Sequence, residues 1–317
     1  MTYPRVAIII LNWNGLADTL ECLESLRKIT YPNYEVIVVD NGSEGNDAQA
    51  LQERSSDYAH LIRNDKNYGY TGGNNIAIRY ALDNCAPDYV LILNNDTVVA
   101  PDFLSQMIEA AESDASIGVV GSKVYYHSFP NRIQGAGGRV NMRTGQASHI
   151  GIKEVDSGQY DTQREVDYVF GCCLLIKRQV IQRIGLFDES YFSYWDETDY
   201  CFRAREAGYK VVYVPEAKIW HKAPLKLKAW HKTPAGGKAS GLYYYYMARN
   251  HFKFMRKHAA KAQYLGFLLC FFGYHFWFMT AVCLLYHRDA GRLFGFYRGV
   301  KDGLFNSSSG ARRYIQH

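Results

Sequence analysis

Acidic and histidine side chains occur at three places where they can bind a cation or accept a proton. Asp96 closes the run Asn94-Asn95-Asp96, His221 closes the run 215–221, and residues 196–199 hold three acids. A carboxylate with an imidazole suits a divalent transition metal. A carboxylate shielded among acids and aromatic rings suits general base catalysis, because its pKa rises. Acids at a helix start also serve as caps and dipole partners, so residue type alone leaves both roles open.

The elements that must position these side chains are short buried strands separated by helices. Their apolar runs have the β-branched character of strands buried on both faces. The predicted elements are strands at Val6–Leu11, Glu35–Asp40 and Tyr89–Leu93, a weaker strand at His60–Arg63, and a helix at about Leu16–Arg27. Such short spacing implies parallel strands with right-handed crossovers, which predicts an α/β fold with a doubly wound sheet.

Small polar residues stand at the ends of three of these strands. Asn12 follows the first strand, Asp40 ends the second, and Asn94 to Asp96 follow the strand at 89–93. Each alone is a common turn former. Ligands of doubly wound sheets bind beyond the carboxyl ends of the strands, so three such ends indicate a binding site. The first turn lacks the glycine fingerprint of dinucleotide-binding folds, and the chain contains no P-loop motif.

The order of the motifs resembles the family 2 glycosyltransferases with a GT-A fold. In chain order, the motifs are NWNG, VDNGS, NYGYTGGNN, LNND, YWDETDYCFRAREAGY and PEAKIWH. Together they cover roughly residues 4–255 and look most like bacterial rhamnosyltransferases and galactofuranosyltransferases of surface polysaccharide synthesis. The resemblance implies a GT-A catalytic domain over residues 1–255, with a Rossmann-like mixed sheet. The composition of residues 256–317 predicts a helical, membrane-associated segment.

The resemblance also implies a site for a dTDP- or UDP-linked sugar at the strand ends. Asp40 would accept hydrogen bonds from a uracil or thymine ring, with Asn12 beside it. Gly72 and Gly73, in a helix that opens within the segment 67–75, would let the backbone approach the nucleotide, and the helix N-terminus favours negative charge. The implied donor-binding residues are Asn12, Asp40, Asn67, Gly72, Gly73, Asn95 and Gly171.

Asp96 occupies the place of the family's D-x-D motif, and His221 the place of a histidine metal ligand. Many relatives carry two acids in this motif, whereas this chain has Asn94. One carboxylate and one imidazole, completed by diphosphate oxygens and water, can hold Mn²⁺ or Mg²⁺. We therefore expect weak metal binding without the donor. His231 is the alternative ligand.

The resemblance places the general base in the acid pair at the start of a helix that runs from Tyr194 through Glu206. Relatives usually have Glu then Asp, and the second acid acts on the acceptor hydroxyl. This chain has the reverse order, so position assigns the base to Glu197 and leaves Asp196 as the alternative.

The C-terminal third is basic and aromatic. Residues 216–317 hold 17 Lys/Arg and 3 Asp/Glu, a net of +14, whereas residues 1–215 hold 19 and 28, a net of −9. Tyr264–Tyr286 are 23 residues without a charged side chain, and a bilayer span needs about 20. Basic residues on both flanks favour a peripheral or re-entrant segment on the cytoplasmic face over one transmembrane helix. The lysine-rich stretch 222–241 is interpreted as a mobile loop over the donor or a plain linker.

These features predict an inverting, metal-dependent glycosyltransferase. By resemblance the donor is dTDP-rhamnose, followed by UDP-galactofuranose or a UDP-hexose, and the acceptor is a glycan or a polyprenyl-diphosphate-linked sugar. The seven cysteines lack metal-ligand or framework spacing, which favours reduced thiols in the cytosol. Nucleic acid is not an expected partner, because the basic residues flank an apolar run. The alternative is a non-catalytic sugar-nucleotide or glycan-binding scaffold at the membrane, for which Asn94 is the one hint.

Overall fold

A computed structural model of the protein describes residues 3–223 and 238–307, with the backbone alone at 238–240. These residues form two compact units. The first contains residues 3–139, 149–192 and 196–223, and the second contains 140–148, 193–195 and 238–307. The predicted boundary at 255–256 falls inside a helix of the second unit, Lys238–His258. Most of the lysine-rich stretch 222–241, including His231, lies outside the described residues.

The first unit is built on a mixed sheet whose central strands are almost wholly buried. The strands of the described residues are β1 (Val6–Asn12), β2 (Tyr34–Asp40), β3 (Ala59–Arg63), β4 (Tyr89–Asn94), β5 (Thr97–Val99), β6 (Ile117–Tyr126), β7 (Phe129–Gly135), β8 (Gly138–Asn141), β9 (Gln146–His149), β10 (Arg164–Glu165), β11 (Cys173–Lys177) and β12 (Lys210–His221). The main order is β10-β12-β6-β11-β4-β1-β2-β3, with β5 on β12 and β7 on β6, while β8 pairs with β9. β11 is antiparallel to both its neighbours. The doubly wound α/β prediction is therefore confirmed.

Helices cover the sheet because each buries one apolar stripe. Those of the first unit are α1 (Leu16–Leu26), α2 (Asp47–Ser55), α3 (Gly69–Asn84), α4 (Phe103–Ser113), α5 (Arg178–Ile184) and α6 (Asp196–Glu206), with a 3₁₀ turn at Glu189–Tyr191. In α1, Cys22, Leu23 and Leu26 form the buried stripe.

Strand register brings the polar strand ends together. Asn12 pairs with Asp40 across the parallel strands β1 and β2, and Leu11 pairs with Asn94 across β1 and β4. The carboxyl ends of these strands therefore finish at one edge, where such sheets bind ligands.

Two element boundaries differ from the sequence-based expectation. The apolar run Val211–Val214 predicts a strand that ends there, whereas β12 continues to His221, because residues 218–221 pair with β6 and residues 219–221 also pair with β5. The acid helix begins at Asp196 rather than Tyr194, because Tyr194 and Trp195 have φ of 69° and 66°. These left-handed angles are incompatible with a right-handed helix.

The second unit contains α7 (Lys238–His258) and α10 (Ala290–Phe305), which pack closely together. α10 has glycine at every fourth position, 291, 295, 299 and 303. A Cβ at Gly295 would lie 2.1 Å from the carbonyl oxygen of Gly241, and one at Gly299 would lie 2.3 Å from that of Tyr245. Only glycine allows the two helices to approach this closely.

The apolar helix 261–287 lies between α7 and α10 in the sequence. It consists of α8 (Lys261–Cys270), a π-helical turn (Phe271–His275), α9 (Phe276–Ala281) and a second π-helical turn (Val282–His287). Among the described residues it is the one helix long and apolar enough to cross a membrane, on length and composition alone.

Candidate functional site

Asn12 and Asp40 form the centre of a buried polar cluster at the strand ends. Asn12 Nδ2 donates to Asp40 Oδ1 at 2.9 Å and to Ser43 Oγ at 3.1 Å, and Asn12 Oδ1 accepts from Thr19 Oγ1 at 2.7 Å. Both Asn12 and Asp40 are almost wholly buried. Asn95 joins this cluster, because its Nδ2 donates to Thr19 Oγ1 at 2.9 Å. Asn12 thus holds the carboxylate predicted to read the base, while its own amide is engaged inside the protein.

The start of α3 is held by hydrogen bonds among its own motif residues. Asn67 Oδ1 accepts from the backbone N–H of Gly69 at 2.7 Å and from Asn41 Nδ2 at 3.0 Å. A Cβ at Gly73 would lie 2.5 Å from Leu11 Cδ1, and one at Gly72 would lie 2.9 Å from Tyr68 Cβ. Packing against Tyr68 already favours glycine at position 72, whereas a larger residue at position 73 would displace the Leu11 side chain. The backbone approach to a nucleotide stays a prediction.

Asp96 and His221 come together although 125 residues of chain separate them. Asp96 Oδ1 lies 3.1 Å from His221 Nε2, because β5, which follows Asp96, pairs with the end of β12. Burial would raise the pKa of the Asp96 carboxyl, but the charge and hydrogen bond of His221 hold it below its usual value. The described residues contain no group of three or more His, Cys, Asp or Glu that could hold a metal. The pair therefore fits a metal as two protein ligands, with the other positions left to the donor and water.

Gln134 on β7 orients the imidazole of His221. Its Oε1 lies 3.0 Å from His221 Nδ1, so that Nδ1–H donates to the amide oxygen and Nε2 faces Asp96. Metal-binding histidines are commonly fixed in this way by a second hydrogen bond. Sequence reasoning missed Gln134, because it belongs to no recognised motif.

We expect Gln134→Ala to weaken Mn²⁺ binding about 10- to 100-fold, because His221 loses the partner that fixes its ring and tautomer. Electron paramagnetic resonance of free Mn²⁺, titrated with protein and nucleoside diphosphate, measures this directly. Gln134→Glu keeps an acceptor and should retain most of the affinity. Gln49→Ala, on the surface of α2, is the matched control. Unchanged Mn²⁺ affinity in Gln134→Ala would contradict the assigned role.

The three acids at the start of α6 have different surroundings. Asp199 is fully buried, and its carboxylate makes structural contacts. It pairs with Arg203 at 2.9 Å and accepts a hydrogen bond from Tyr191 Oη at 3.1 Å. Asp196 is also buried, at 3% exposure, whereas Glu197 keeps partial access to the surface. Glu197 is therefore the acid of this group best placed to meet an acceptor.

Gly171 lies beside Glu197 and connects it to the rest of the site. A Cβ at Gly171 would lie 3.5 Å from Glu197 Cβ and 3.3 Å from Tyr70 Oη, and the Tyr70 hydroxyl donates to Gly171 O at 2.7 Å. Burial raises the pKa of the neighbouring Cys172 thiol, and the charges of Cys173, Asp96 and Glu197 raise it further. The backbone oxygen of Cys172 also accepts from the N–H of Asn94 at 3.1 Å, so the segment Gly171-Cys172 lies beside both Glu197 and the strand end that leads to Asp96.

Burial raises the pKa of the Glu197 carboxyl, partly offset by hydrogen bonds from its backbone and from Thr198. A base acts when deprotonated, so kcat should rise with pH through a midpoint above about 4.3, the usual value for Glu. In the same pH window the folded state holds the proton more tightly than the unfolded state, so stability falls as pH rises. We therefore expect Glu197→Gln to remove this rise of kcat with pH. The same variant should raise the free energy of unfolding at neutral pH, measured by urea denaturation.

Lys222 is a second residue that sequence reasoning missed. Its Nζ lies 2.5 Å from Asp18 Oδ1 and 2.6 Å from Glu21 Oε2, and its backbone N–H donates to Asp96 O at 2.9 Å. These contacts tie the end of β12 to α1 and to the turn that carries Asp96. Asp18 and Glu21 lie three residues apart on one face of α1, and this spacing was the only sign in the sequence that they share a cationic partner.

Comparisons with known proteins identify the family and the fold of the chain. A family model described as glycosyltransferase like family 2 matches residues 4–235. The chain is similar to the low-salt glycan biosynthesis hexosyltransferase Agl10 of Haloferax volcanii, with 28% identity over 224 residues, 69% of this chain and 68% of that protein. It is also 28% identical over 215 residues to the N-acetylglucosaminyl-diphospho-decaprenol L-rhamnosyltransferase of Mycobacterium tuberculosis, which covers 63% of this chain and 70% of that protein.

Among solved structures, the chain resembles the mannosyltransferase PcManGT from Pyrobaculum calidifontis in complex with GDP-Man and Mn²⁺. The TM-score is 0.60 at 16% identity, over 96% of this chain and 88% of that chain. A likeness at this identity concerns the fold alone, and the fold is GT-A.

Proposed function

Because the chain belongs to glycosyltransferase like family 2, we propose that this glycosyltransferase moves a sugar, with inversion, from a nucleoside-diphosphate donor to an acceptor hydroxyl. The observation that carries the proposal is that the Asp96–His221 pair and Glu197 flank one segment, Gly171-Cys172, at the strand ends. Inversion by direct displacement needs a stabilised leaving group and one base on the acceptor side. Asp96 and His221 would stabilise the leaving group through a bound metal, and Glu197 would be the base on the acceptor side.

In the proposed reaction, Glu197 takes the proton of the acceptor hydroxyl as the acceptor oxygen bonds to the anomeric carbon. The bond from that carbon to the diphosphate breaks, and the nucleoside diphosphate leaves with the electron pair. Asp96 and His221 would hold Mn²⁺ or Mg²⁺, which when bound supplies positive charge against the diphosphate. Asp40, held in place by Asn12, orients the base of the nucleotide.

The proposed donor is dTDP-rhamnose, with UDP-galactofuranose or a UDP-hexose as the alternatives. The proposed acceptor is a glycan or a polyprenyl-diphosphate-linked sugar. Support comes from the Mycobacterium tuberculosis relative, whose name specifies an L-rhamnosyltransferase acting on a diphospho-decaprenol sugar.

A non-catalytic scaffold that binds sugar nucleotides or glycans is the second candidate. Asn94 favours it, because its Nδ2 stands 3.5 Å from His221 Nε2 where many relatives have a second acid. The joint presence of Asp96, His221 and a partly accessible Glu197 supports the enzyme over the scaffold.

Turnover of a donor panel by the purified protein tests the proposal. The panel contains dTDP-rhamnose, UDP-galactofuranose, UDP-glucose and UDP-GlcNAc, with Mn²⁺ or EDTA and a polyprenyl-diphosphate sugar as acceptor. Metal-dependent transfer of one sugar, lost in Asp96→Ala and Glu197→Ala, is the expected result. Nucleotide binding without turnover of any donor would favour the scaffold.

We also propose that the apolar helix 261–287 binds one leaflet of the membrane, on the cytoplasmic face, without crossing. Large apolar side chains on it are exposed, among them Leu269 at 68%, Trp277 at 64% and Leu285 at 75%. α10 returns along this helix, since Tyr297 stacks on Phe276 at 5.3 Å. Arg256, just before the helix, donates to the backbone oxygens of residues 303 and 304 at the end of α10.

Charges on α10 argue against a span. A crossing would carry α10 into the hydrocarbon with Arg292, Arg298, Lys301 and Asp302. Each ionisable group at the bilayer centre costs about 2.5–3.5 kcal/mol on insertion scales. An interfacial position keeps α10 out of the hydrocarbon and keeps both basic flanks on one side, where anionic lipids attract them.

We expect the pair Trp277→Ser and Leu285→Ser to lower partitioning onto anionic vesicles at least about 10²-fold, because each buried apolar side chain contributes about 1.5–3 kcal/mol. Vesicle flotation measures the partitioning. Ile152→Ser with Val155→Ser, which are exposed apolar residues of the first unit, is the matched control. Equal flotation of the two double variants would contradict the assignment. Access of a thiol reagent to Arg288→Cys from the far side of sealed vesicles would indicate a span.

A further inference from the structure

The chain bends sharply before the acid helix, and three residues there have left-handed backbone angles. Phe192 has φ 65° and ψ −54°, and Tyr194 and Trp195 have φ of 69° and 66°. None of them is glycine, and other residues rarely adopt this region because the Cβ crowds the backbone. Such a conformation persists only where surrounding contacts hold it. Trp195 is bonded directly to Asp196, so this bend leads straight into the turn that carries Glu197.

Asn250 of α7 supplies hydrogen bonds to the bend. Its Nδ2 donates to the backbone oxygens of Ser193 at 2.8 Å and of Tyr194 at 2.9 Å. Asn250 has no exposed surface. Its Oδ1 accepts from Arg249 Nε at 2.9 Å and Nη2 at 2.7 Å. Because Arg249 only donates, it fixes the amide with Nδ2 toward the bend.

Aromatic packing from the same helix holds the last residue of the bend. The Trp195 ring stacks on His251 at 4.7 Å with 11° between the planes, and it contacts Phe254 at 5.0 Å. His251 Nε2–H donates to Gly145 O at 2.8 Å. Burial lowers the pKa of His251 to about 3, so its ring is neutral in the working range of an enzyme. The stacking of His251 on Trp195 therefore does not change with pH near neutrality.

We propose that Asn250, oriented by Arg249, is a positioning residue that holds the bend 193–195 and so sets the place of Glu197. One amide donates to two consecutive carbonyl oxygens, so its loss removes a hydrogen bond from each of them within the run of positive φ angles. Both residues end the run 243–250, whose sequence resembles the family's Y-Y-x-x-R-N segment but predicts no role for either residue in the site. The inference rests on the proposed role of Glu197 as the base.

Asn250→Ala tests the inference. We expect kcat to fall about tenfold, equivalent to about 1.4 kcal/mol, with donor KM and nucleotide binding unchanged. The acid limb of the kcat profile should also move, because the surroundings of Glu197 change. Adding Tyr194→Gly should restore part of kcat, since glycine adopts a positive φ without strain. Asn84→Ala removes a comparable amide-to-carbonyl hydrogen bond on the surface of α3 and is the control.

Arg249→Lys gives a second measurement if Asn250→Ala does not fold. This variant keeps the Asn250 amide but orients it less firmly. We therefore expect a smaller fall of kcat, with the same shift of the low-pH side of the kcat profile. Wild-type kcat in either folded variant overturns the proposal. A fall of kcat that only follows the loss of folded protein, with an unchanged pH profile and no recovery by glycine, also overturns it. Wild-type kcat in Glu197→Gln would instead refute the role of Glu197 as the base, on which this inference rests.

Discussion

We expect Glu197→Gln to lower kcat for sugar transfer about 10³-fold while nucleotide and Mn²⁺ binding stay unchanged, because a positioned base contributes about 10²- to 10⁴-fold. The amide keeps the shape of the side chain and loses the ability to take the acceptor proton. Single-turnover transfer, with donor binding measured by calorimetry, separates the loss of chemistry from a loss of binding.

Asp196→Asn and Glu206→Gln complete this series on the same helix. Asp196 is the alternative base, and it is buried where Glu197 is partly accessible. Glu206 is exposed at the other end of α6 and should tolerate the change. A loss of 10³-fold in Asp196→Asn, with near-normal kcat in Glu197→Gln, would transfer the role of base to Asp196.

The second large effect is expected at Asp96. Asp96→Asn should lower kcat/KM about 10³-fold and abolish the stimulation by Mn²⁺, because metal-assisted stabilisation of a leaving group contributes several kcal/mol. His221→Ala should act in the same direction. Mn²⁺ binding, followed by paramagnetic resonance in the presence of nucleoside diphosphate, gives a readout independent of turnover.

Asp102→Asn is the matched control, since this exposed aspartate precedes α4 and its side chain makes no capping hydrogen bond. Stimulation by Mn²⁺ that survives in both Asp96→Asn and His221→Ala would contradict the assigned pair. His231→Ala then becomes the variant to measure, as the alternative ligand proposed from sequence.

The sheet was predictable because buried parallel strands have a strong local signal. Val6–Leu11 and Glu35–Asp40 are continuous apolar runs, and both became strands of the sheet. The extension of β12 to His221 was missed, because Glu216 and Lys218 interrupt the apolar pattern although the backbone pairs with β6. Pairing with distant strands decided that boundary, and no local pattern reports it.

The site was predictable where a residue stands in a motif and not where it supports one. Asp96 and His221 were named from sequence, and the structure brings them together. Gln134 was not named, because an isolated glutamine on a strand is ordinary. The left-handed angles of Tyr194 and Trp195 were also unforeseeable, because neither residue type favours them and the cause is a contact with α7.

The glycine spacing of α10 decides how the protein can be shortened for crystallisation or expression. α7 and α10 meet at a separation that leaves no room for a Cβ at Gly295 or Gly299. A chain ended before residue 290 would expose the matching face of α7, including Tyr245, to solvent. Shortening is therefore the wrong route to a detergent-free preparation. Polar replacements at the outward-facing residues of the apolar helix 261–287 should remove its proposed affinity for lipid and leave the α7–α10 pair intact.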